Sequence, residues 1–198
     1  MTMMTKLVYS ILVFICAAMP ALATDGAGPV ERIQVRGIGT VNYQYLFTEM
    51  SEKGQSLDSF AAQVAPRLIE YSAKSGFEAC GAMATDGERF GVIVGTSRAH
   101  VACVNYFDKV PDGMVATDQT IHSHGRSRFN PNFNDRILQP REISGKGAFR
   151  GVAGQRVGGE RLDEFSDLDF ELPGYLAIPG GVIHQEGVGT VRTIQTDK

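Results

Sequence analysis

Thr120-Ile121-His122-Ser123-His124-Gly125 is the stretch on which the reading of this chain turns. It closes an apolar-leaning run, Val115 to His124, that reads as a strand. Side chains alternate along an extended strand, so residues two apart share one face. His122 and His124 therefore stand side by side, which is how a strand offers a metal two nitrogens. A hydrolytic metal site needs one or two further ligands, a position open to water, and a carboxylate that can move protons. Alone, such a pair is more often two hydrogen-bonded or exposed histidines than a metal site.

Downstream, Glu164-Phe165-Ser166-Asp167-Leu168-Asp169 contains Ser166-x-x-Asp169. A spacing of three lets both side chains face the same way if Ser166 opens a helical turn. Asp169 can then be a third ligand, with Ser166 beside it as a hydrogen-bond donor. The plain alternative is a serine capping its own helix. Asp167 has the wrong spacing from Ser166 and reads as surface, and His100 reads as structural or exposed. Upstream, Glu78 opens the apolar stretch Phe77-Glu78-Ala79-Cys80-Gly81. A carboxylate on such a strand costs energy unless it has a partner, which points to a site.

The surrounding elements alternate in type. Phe60, Val64, Leu68 and Tyr71 recur at helical spacing after Ser56, with Asp58 able to cap and Gly76 to close the helix. Pro66 kinks such a helix unless it lies in the first turns. Phe77 to Ala84 and Phe90 to Thr96 read as two strands joined through Asp86-Gly87, a hairpin signal because glycine accepts positive φ. Further strands are expected at Ala99 to Val104, Gly174 to Pro179 and Val188 to Ile194. Residues 126 to 161 show no sustained period, are rich in Gly, Asn and Arg, and carry Pro131 and Pro140. So long a loop is usually functional or mobile, and here it starts directly after the histidines, where it could act as a lid.

At the N-terminus, Lys6, the apolar run Leu7 to Ala18 and Ala21-Leu22-Ala23 have the layout of a secretory signal peptide over residues 1 to 23. The apolar run is shorter than the roughly 20 residues a spanning helix needs, so no membrane anchor is expected after cleavage. Lys6 is the one charged residue of this leader, so its removal takes the net charge from −3 to −4. That mild acidity argues against a nucleic-acid partner, which calls for a clustered basic face. The loose run Arg126, Arg128, Arg136, Arg141 and Arg150 reads as a solvated loop. Residues 24 to 55 form an N-terminal extension with a possible strand at Val30 to Val35 and no nameable chemistry. Cys80 and Cys103 survive cleavage in a compartment that permits disulfides, and both the bonded and the free state stay open.

Glu78, then His122-x-His124, then Ser166-x-x-Asp169, in this order, resemble the JAMM/MPN zinc metallopeptidases. A Cys-Gly pair soon after the glutamate, and Phe165-Ser166 to Asp169 followed by Gly174-Tyr175-Leu176 and Pro179, resemble the bacterial members. The resemblance covers about Phe60 to Thr193. It implies an α/β fold, with a curved, mixed but mainly antiparallel sheet and a flanking helix, over residues 56 to 198. It also implies Zn2+ on His122, His124 and Asp169, with Glu78 as proton carrier and Ser166 as oxyanion donor, hydrolysing peptide or isopeptide bonds. Two departures stand out. Gly125 occupies the place where a proline often follows the histidines, and 41 residues separate His124 from Ser166, so residues 125 to 161 form a long insertion.

Two other classes compete. Pro179-Gly180-Gly181-Val182-Ile183-His184 fits a cupin barrel, which would bind metal through His122, His124 and His184, but its glutamate is missing, since positions 127 to 129 are Ser, Arg and Phe. A non-catalytic JAMM-fold binding module would need none of the ligands this chain keeps. A periplasmic or secreted amidohydrolase meets peptides, proteins and peptidoglycan stem peptides, and the residues do not choose among these.

Overall fold

The computed structural model describes residues 26–138, 157–158 and 161–194. The leader expected over residues 1 to 23, and most of the loop after residue 138, lie outside the described residues.

Helix α1 spans Leu57–Ser75. Its N-cap is Ser56, whose hydroxyl accepts from the Ser59 N–H at 3.2 Å. Asp58, expected as the cap, instead sits in the first turn and bonds outward to Tyr175 and Arg192. Gly76 ends the helix at φ 83°, a left-handed conformation that glycine adopts without a Cβ penalty. The helix continues through Pro66, which removes one backbone donor from its interior. Phe60, Ala61, Val64, Ala65 and Leu68 form its buried stripe.

That stripe lies on an eight-stranded sheet. In chain order the strands are β1 (Val30–Val35), β2 (Gly39–Met50), β3 (Ala79–Thr85), β4 (Phe90–Thr96) and β5 (Val115–Ser123). A two-residue ribbon follows, β6 (Arg128–Phe129) with β7 (Val157–Gly158), flanking the short helix α2 (Phe133–Leu138). Strands β8 (Gly174–Ile178), β9 (Gly181–Gln185) and β10 (Arg192–Ile194) complete the main sheet, preceded by a 3-10 helix at Asp167–Glu171. The spatial order is β1-β2-β4-β3-β5-β8-β9-β10. Every neighbouring pair is antiparallel except β5 with β8. The class is therefore α/β with a mixed, mainly antiparallel sheet and a flanking helix, as expected.

The strand expected at Val30 to Val35 is β1, and the unassigned residues after it form β2, which pairs with β4 inside the same sheet. Two other sequence expectations change. Ala99 to Val104 is not a strand; its apolar side chains wall a cavity instead. The last strand, expected over Val188 to Ile194, is confined to β10, and a strand outside the expected ones, β9, precedes it across a turn through Gly187. The Asp86-Gly87 hairpin stands as expected: Asp86 Oδ1 accepts from the Glu88 and Arg89 N–H groups, which holds its carboxyl down at about 2.

Register fixes which face each residue uses. Ser123 is opposite Ala79, and its hydroxyl bonds Ser72 of α1 at 2.7 Å, so the odd positions of β5 face the helix. Ile121, Tyr175, Ala177, Val182, Val92 and Val94 share that core. His122, opposite Cys80, faces the other way. Cys80 and Cys103 form a disulfide, which ties β3 to the segment after β4.

Candidate metal centre

Three side chains from two segments converge at the end of β5. His122 is on the strand, His124 just past it, and Asp169 comes from the 3-10 helix before β8. Each contributes one ligating atom, and these atoms lie within 4.8 Å of one another. His122 Nε2 is 3.2 Å from Asp169 Oδ1, and His124 Nε2 is 3.3 Å from Asp169 Oδ2. Among the described residues this is the group of histidine, cysteine and carboxylate side chains close enough to hold a metal ion.

The donor set fits a cation. His122 Nε2 is a buried nitrogen whose approach to Asp169 does not make a hydrogen bond. His124 Nδ1 lies 2.6 Å from the Arg161 carbonyl, which can only accept, so Nδ1 carries a hydrogen and Nε2 is the nitrogen turned to Asp169, 3.3 Å from its Oδ2. Burial works against ionising Asp169, yet His122 and His124 outweigh it and hold the carboxyl far below the usual carboxylate range. The site therefore presents an ionised carboxylate and two imidazole nitrogens toward one point. It could bind a metal ion.

Asp169 is oriented from both sides. Its Oδ2 accepts the Ser166 N–H at 2.7 Å and the Ser166 hydroxyl at 2.9 Å. Its own N–H donates to the Ser166 carbonyl at 3.1 Å. The three-residue spacing read from sequence thus falls on a 3-10 turn, where residues i and i+3 eclipse. Gln185, fully buried on β9, donates to the carbonyls of Asp169 and Leu172 at 2.7 and 2.6 Å and so fastens this turn to the sheet. Neither Gln185 nor the Arg161 carbonyl carries a sequence signal, because the work is done by a backbone atom in one case and by backbone partners in the other.

Glu78 immediately precedes β3 rather than lying inside it. Its backbone is pinned at both ends, the N–H to the Ala99 carbonyl at 2.9 Å and the carbonyl to the Thr96 hydroxyl at 2.6 Å. It sits two residues before Cys80, the partner of His122 across the ladder. Glu78, His122, Ser166 and Asp169 together line one cavity of about 370 Å³. All five sequence-derived site residues are therefore gathered at this end of β5.

Gly125 has a steric reason. A Cβ there would run into the backbone carbonyls of His100 and Gly76, so the proline of the resembled pattern has no room. His100 is structural: its Nδ1 is 2.8 Å from buried Asp135 Oδ2, and its ring stacks on Phe129. Asp167 is exposed. His184 stands opposite Tyr175 on β9, with Nε2 2.9 Å from Gln119 Oε1. Its ring packs on Tyr175, on the helix face of the sheet, away from His122. The three histidines that a cupin would require therefore do not converge.

Comparison with protein-family models, curated proteins and solved structures returns no match.

Proposed function

We propose that this chain is a secreted zinc-dependent peptidase of JAMM/MPN type, hydrolysing peptide or isopeptide bonds. The observation that carries the reading is the meeting of His122, His124 and Asp169, two of which, His122 and Asp169, line a cavity together with Glu78 and Ser166. One ligating atom from each residue lies within 4.8 Å of the others, close enough to share one ion, and two imidazoles with a carboxylate are a donor set that zinc accepts. Three protein ligands leave a fourth position open, the pattern of a catalytic rather than a structural ion. Zinc bound there would supply Lewis acidity and bring the pKa of a water into the neutral range.

The residues of the chain divide the remaining work. Glu78, buried at 4% exposure, takes the proton of the attacking water and passes it to the leaving amine, as general base and then general acid. Its pinned backbone limits how far the carboxylate can wander. The Ser166 hydroxyl swings from Asp169 Oδ2 to the developing oxyanion as the carbonyl becomes tetrahedral. Substrate enters the cavity between the 3-10 helix and the disulfide-linked segment. The disulfide and the leader-like N-terminus both suit an oxidising compartment, periplasmic or extracellular. Peptides, exported proteins and peptidoglycan peptides are the amide substrates available there.

Elemental analysis of purified protein is expected to find about one zinc per chain. Glu78→Gln is expected to keep that zinc and lose hydrolysis of peptides by two to four orders of magnitude. Loss of the ion in this variant would overturn the assigned role, and retained activity would overturn the mechanism. Iron in place of zinc, which the same donor set can hold, would overturn the metal assignment.

A further inference from the structure

The cavity beside the metal centre has two kinds of wall. Its polar side is committed: Glu78, His122, Ser166 and Asp169 belong to the proposed reaction, the Thr120 hydroxyl is turned to the Pro173 carbonyl, and Gln185 holds the carbonyls of Asp169 and Leu172. Glu171 is exposed to solvent, and the Asn105 side-chain carbonyl is enclosed. The other side is made of Ile38, Val101, Phe107, Phe165, Leu168 and Leu172, none of which belongs to either hydrophobic core. Core packing therefore does not account for them. Among the described residues nine large apolar side chains are exposed, and three of these, Ile38, Phe107 and Leu172, come from separate loops to rim this one opening. Exposed apolar side chains gathered around a cavity with a few convergent polar groups mark a ligand site, whereas scattered ones do not. Ile38 is the least expected of the three. It stands at the tip of the β1–β2 turn between Gly37 (φ 81°) and Gly39 (φ 120°), a place that polar residues usually take, and this hairpin lies before the stretch that resembles the JAMM/MPN enzymes.

We propose that this wall receives a large aliphatic or aromatic side chain of an extended peptide, on a residue adjoining the amide to be hydrolysed, and that the β1–β2 hairpin supplies Ile38 to that subsite. The wall reaches the metal ligands themselves, since the Phe165 ring lies 6.2 Å from the His122 ring, centroid to centroid. A guest side chain on it is therefore held next to the reacting centre. The cavity, about 370 Å³, sits at the low end of the range of ~300–1,000 Å³ for small-ligand sites, which leaves room for one side chain and its backbone but not for a folded domain. Covering these six residues removes apolar surface from water on both partners, so affinity grows with the apolar area of the guest. A small or charged residue has little such area to offer. Unfolded exported proteins and peptides carrying leucine, isoleucine, methionine or phenylalanine thus rank above peptidoglycan stem peptides, whose residues are mostly small or carboxylate-bearing. The inference rests on the peptidase reading, since it assigns specificity to the same cavity.

The test is binding of blocked peptides to the zinc-loaded Glu78→Gln protein, which does not turn them over. The peptides differ only in a residue flanking the central amide: leucine, phenylalanine, alanine or glutamate, placed in turn on either side. On one side of the amide, leucine and phenylalanine are expected to bind roughly tenfold more tightly than alanine, and glutamate no better than alanine. Adding Ile38→Ser and Phe107→Ser, both at exposed positions, should bring leucine to within about twofold of alanine while zinc content and alanine affinity stay unchanged. Val188→Ser, at an exposed apolar residue outside the cavity, should leave the leucine preference intact. With Glu78 in place, the same pair of substitutions should raise KM for the leucine peptide and spare kcat. Equal affinity for leucine and alanine on both sides, or a leucine preference that survives the pair, overturns the inference. Cleavage sites in an unfolded protein, mapped by mass spectrometry with the wild type, decide the matter even if Glu78→Gln does not hold zinc: they are expected beside large apolar residues. Metal-dependent hydrolysis at sites without that preference sinks the inference alone, whereas apolar-selective binding without hydrolysis sinks the peptidase reading alone.

Discussion

On β5, Ile121 and Ser123 point toward α1 while His122 points into the cavity, and the two faces they open onto recruit their partners differently. The helix face is made by periodicity. Phe60, Val64 and Leu68 from one helix meet alternating residues from the strands beneath, and each position contributes apolar area. The cavity face is made by convergence. Glu78, the His122–His124 pair and Asp169 come from three separated segments and bring polar side chains rather than apolar area. A face of the first kind loses stability gradually when altered. One of the second kind loses a function outright while the fold survives.

Substitutions can break or sharpen this contrast. The largest effect is expected at the cavity: Asp169→Asn should weaken zinc binding about a thousandfold or more, exceeding the losses typical of residues that only orient ligands. Titration against a competing chelator measures this, and the melting temperature of the metal-free protein should barely move. Leu68→Ala, at zero exposure on the opposite face, should cost about 2.7 to 5 kcal/mol in urea unfolding while zinc per folded chain stays unchanged. If it instead released the ion at full folding, the two faces would not be independent.

Replacing both cysteines by serine opens a loop closed over a sequence separation of 23 and should cost about 3 kcal/mol. Because Cys103 belongs to the cavity wall, that variant should also raise KM more than it lowers kcat. Ser123→Ala leaves the Ser72 hydroxyl without its partner in a buried setting and should cost about 1 to 2 kcal/mol.

The smallest effect concerns acid. Arg192 beside Asp58, helped by the Tyr175 hydroxyl, holds the Asp58 carboxyl below its usual range against the cost of partial burial. The folded state therefore gives up this proton more readily than the unfolded state. The stabilisation is complete above the unfolded value, near pH 4, and drains away as pH falls through the folded one. With the Asp58 side chain 37% exposed, it amounts to no more than about 1 kcal/mol. Asp58→Asn should accordingly flatten the fall of melting temperature below pH 4.

What could be read from sequence follows the same division. α1, the β3–β4 hairpin and β5 carry regular periods and turn chemistry, so their residues announce them. β2 does not, because a bulge between Tyr45 and Phe47 shifts its phase and spoils the alternation that would have marked it. Ala99 to Val104 misled for the opposite reason: its apolar character serves a cavity wall and a disulfide, not a ladder. At the site, side chains with dedicated chemistry were legible from type and order. The Arg161 carbonyl and Gln185 were not, since a backbone acceptor has no residue type and a buried glutamine has no fixed meaning.

The single parallel pair, β5 with β8, has a consequence for how the molecule assembles. Parallel neighbours cannot be joined by a tight turn, so the chain must leave and return over a long path. Here His124 stands at the departure and Asp169 near the return, 45 positions apart. The conformational entropy of closing that path has to be met before the ligand set exists at all. An ion held by His124 and Asp169 would act as a staple across the excursion, adding its binding free energy to the closure of that path.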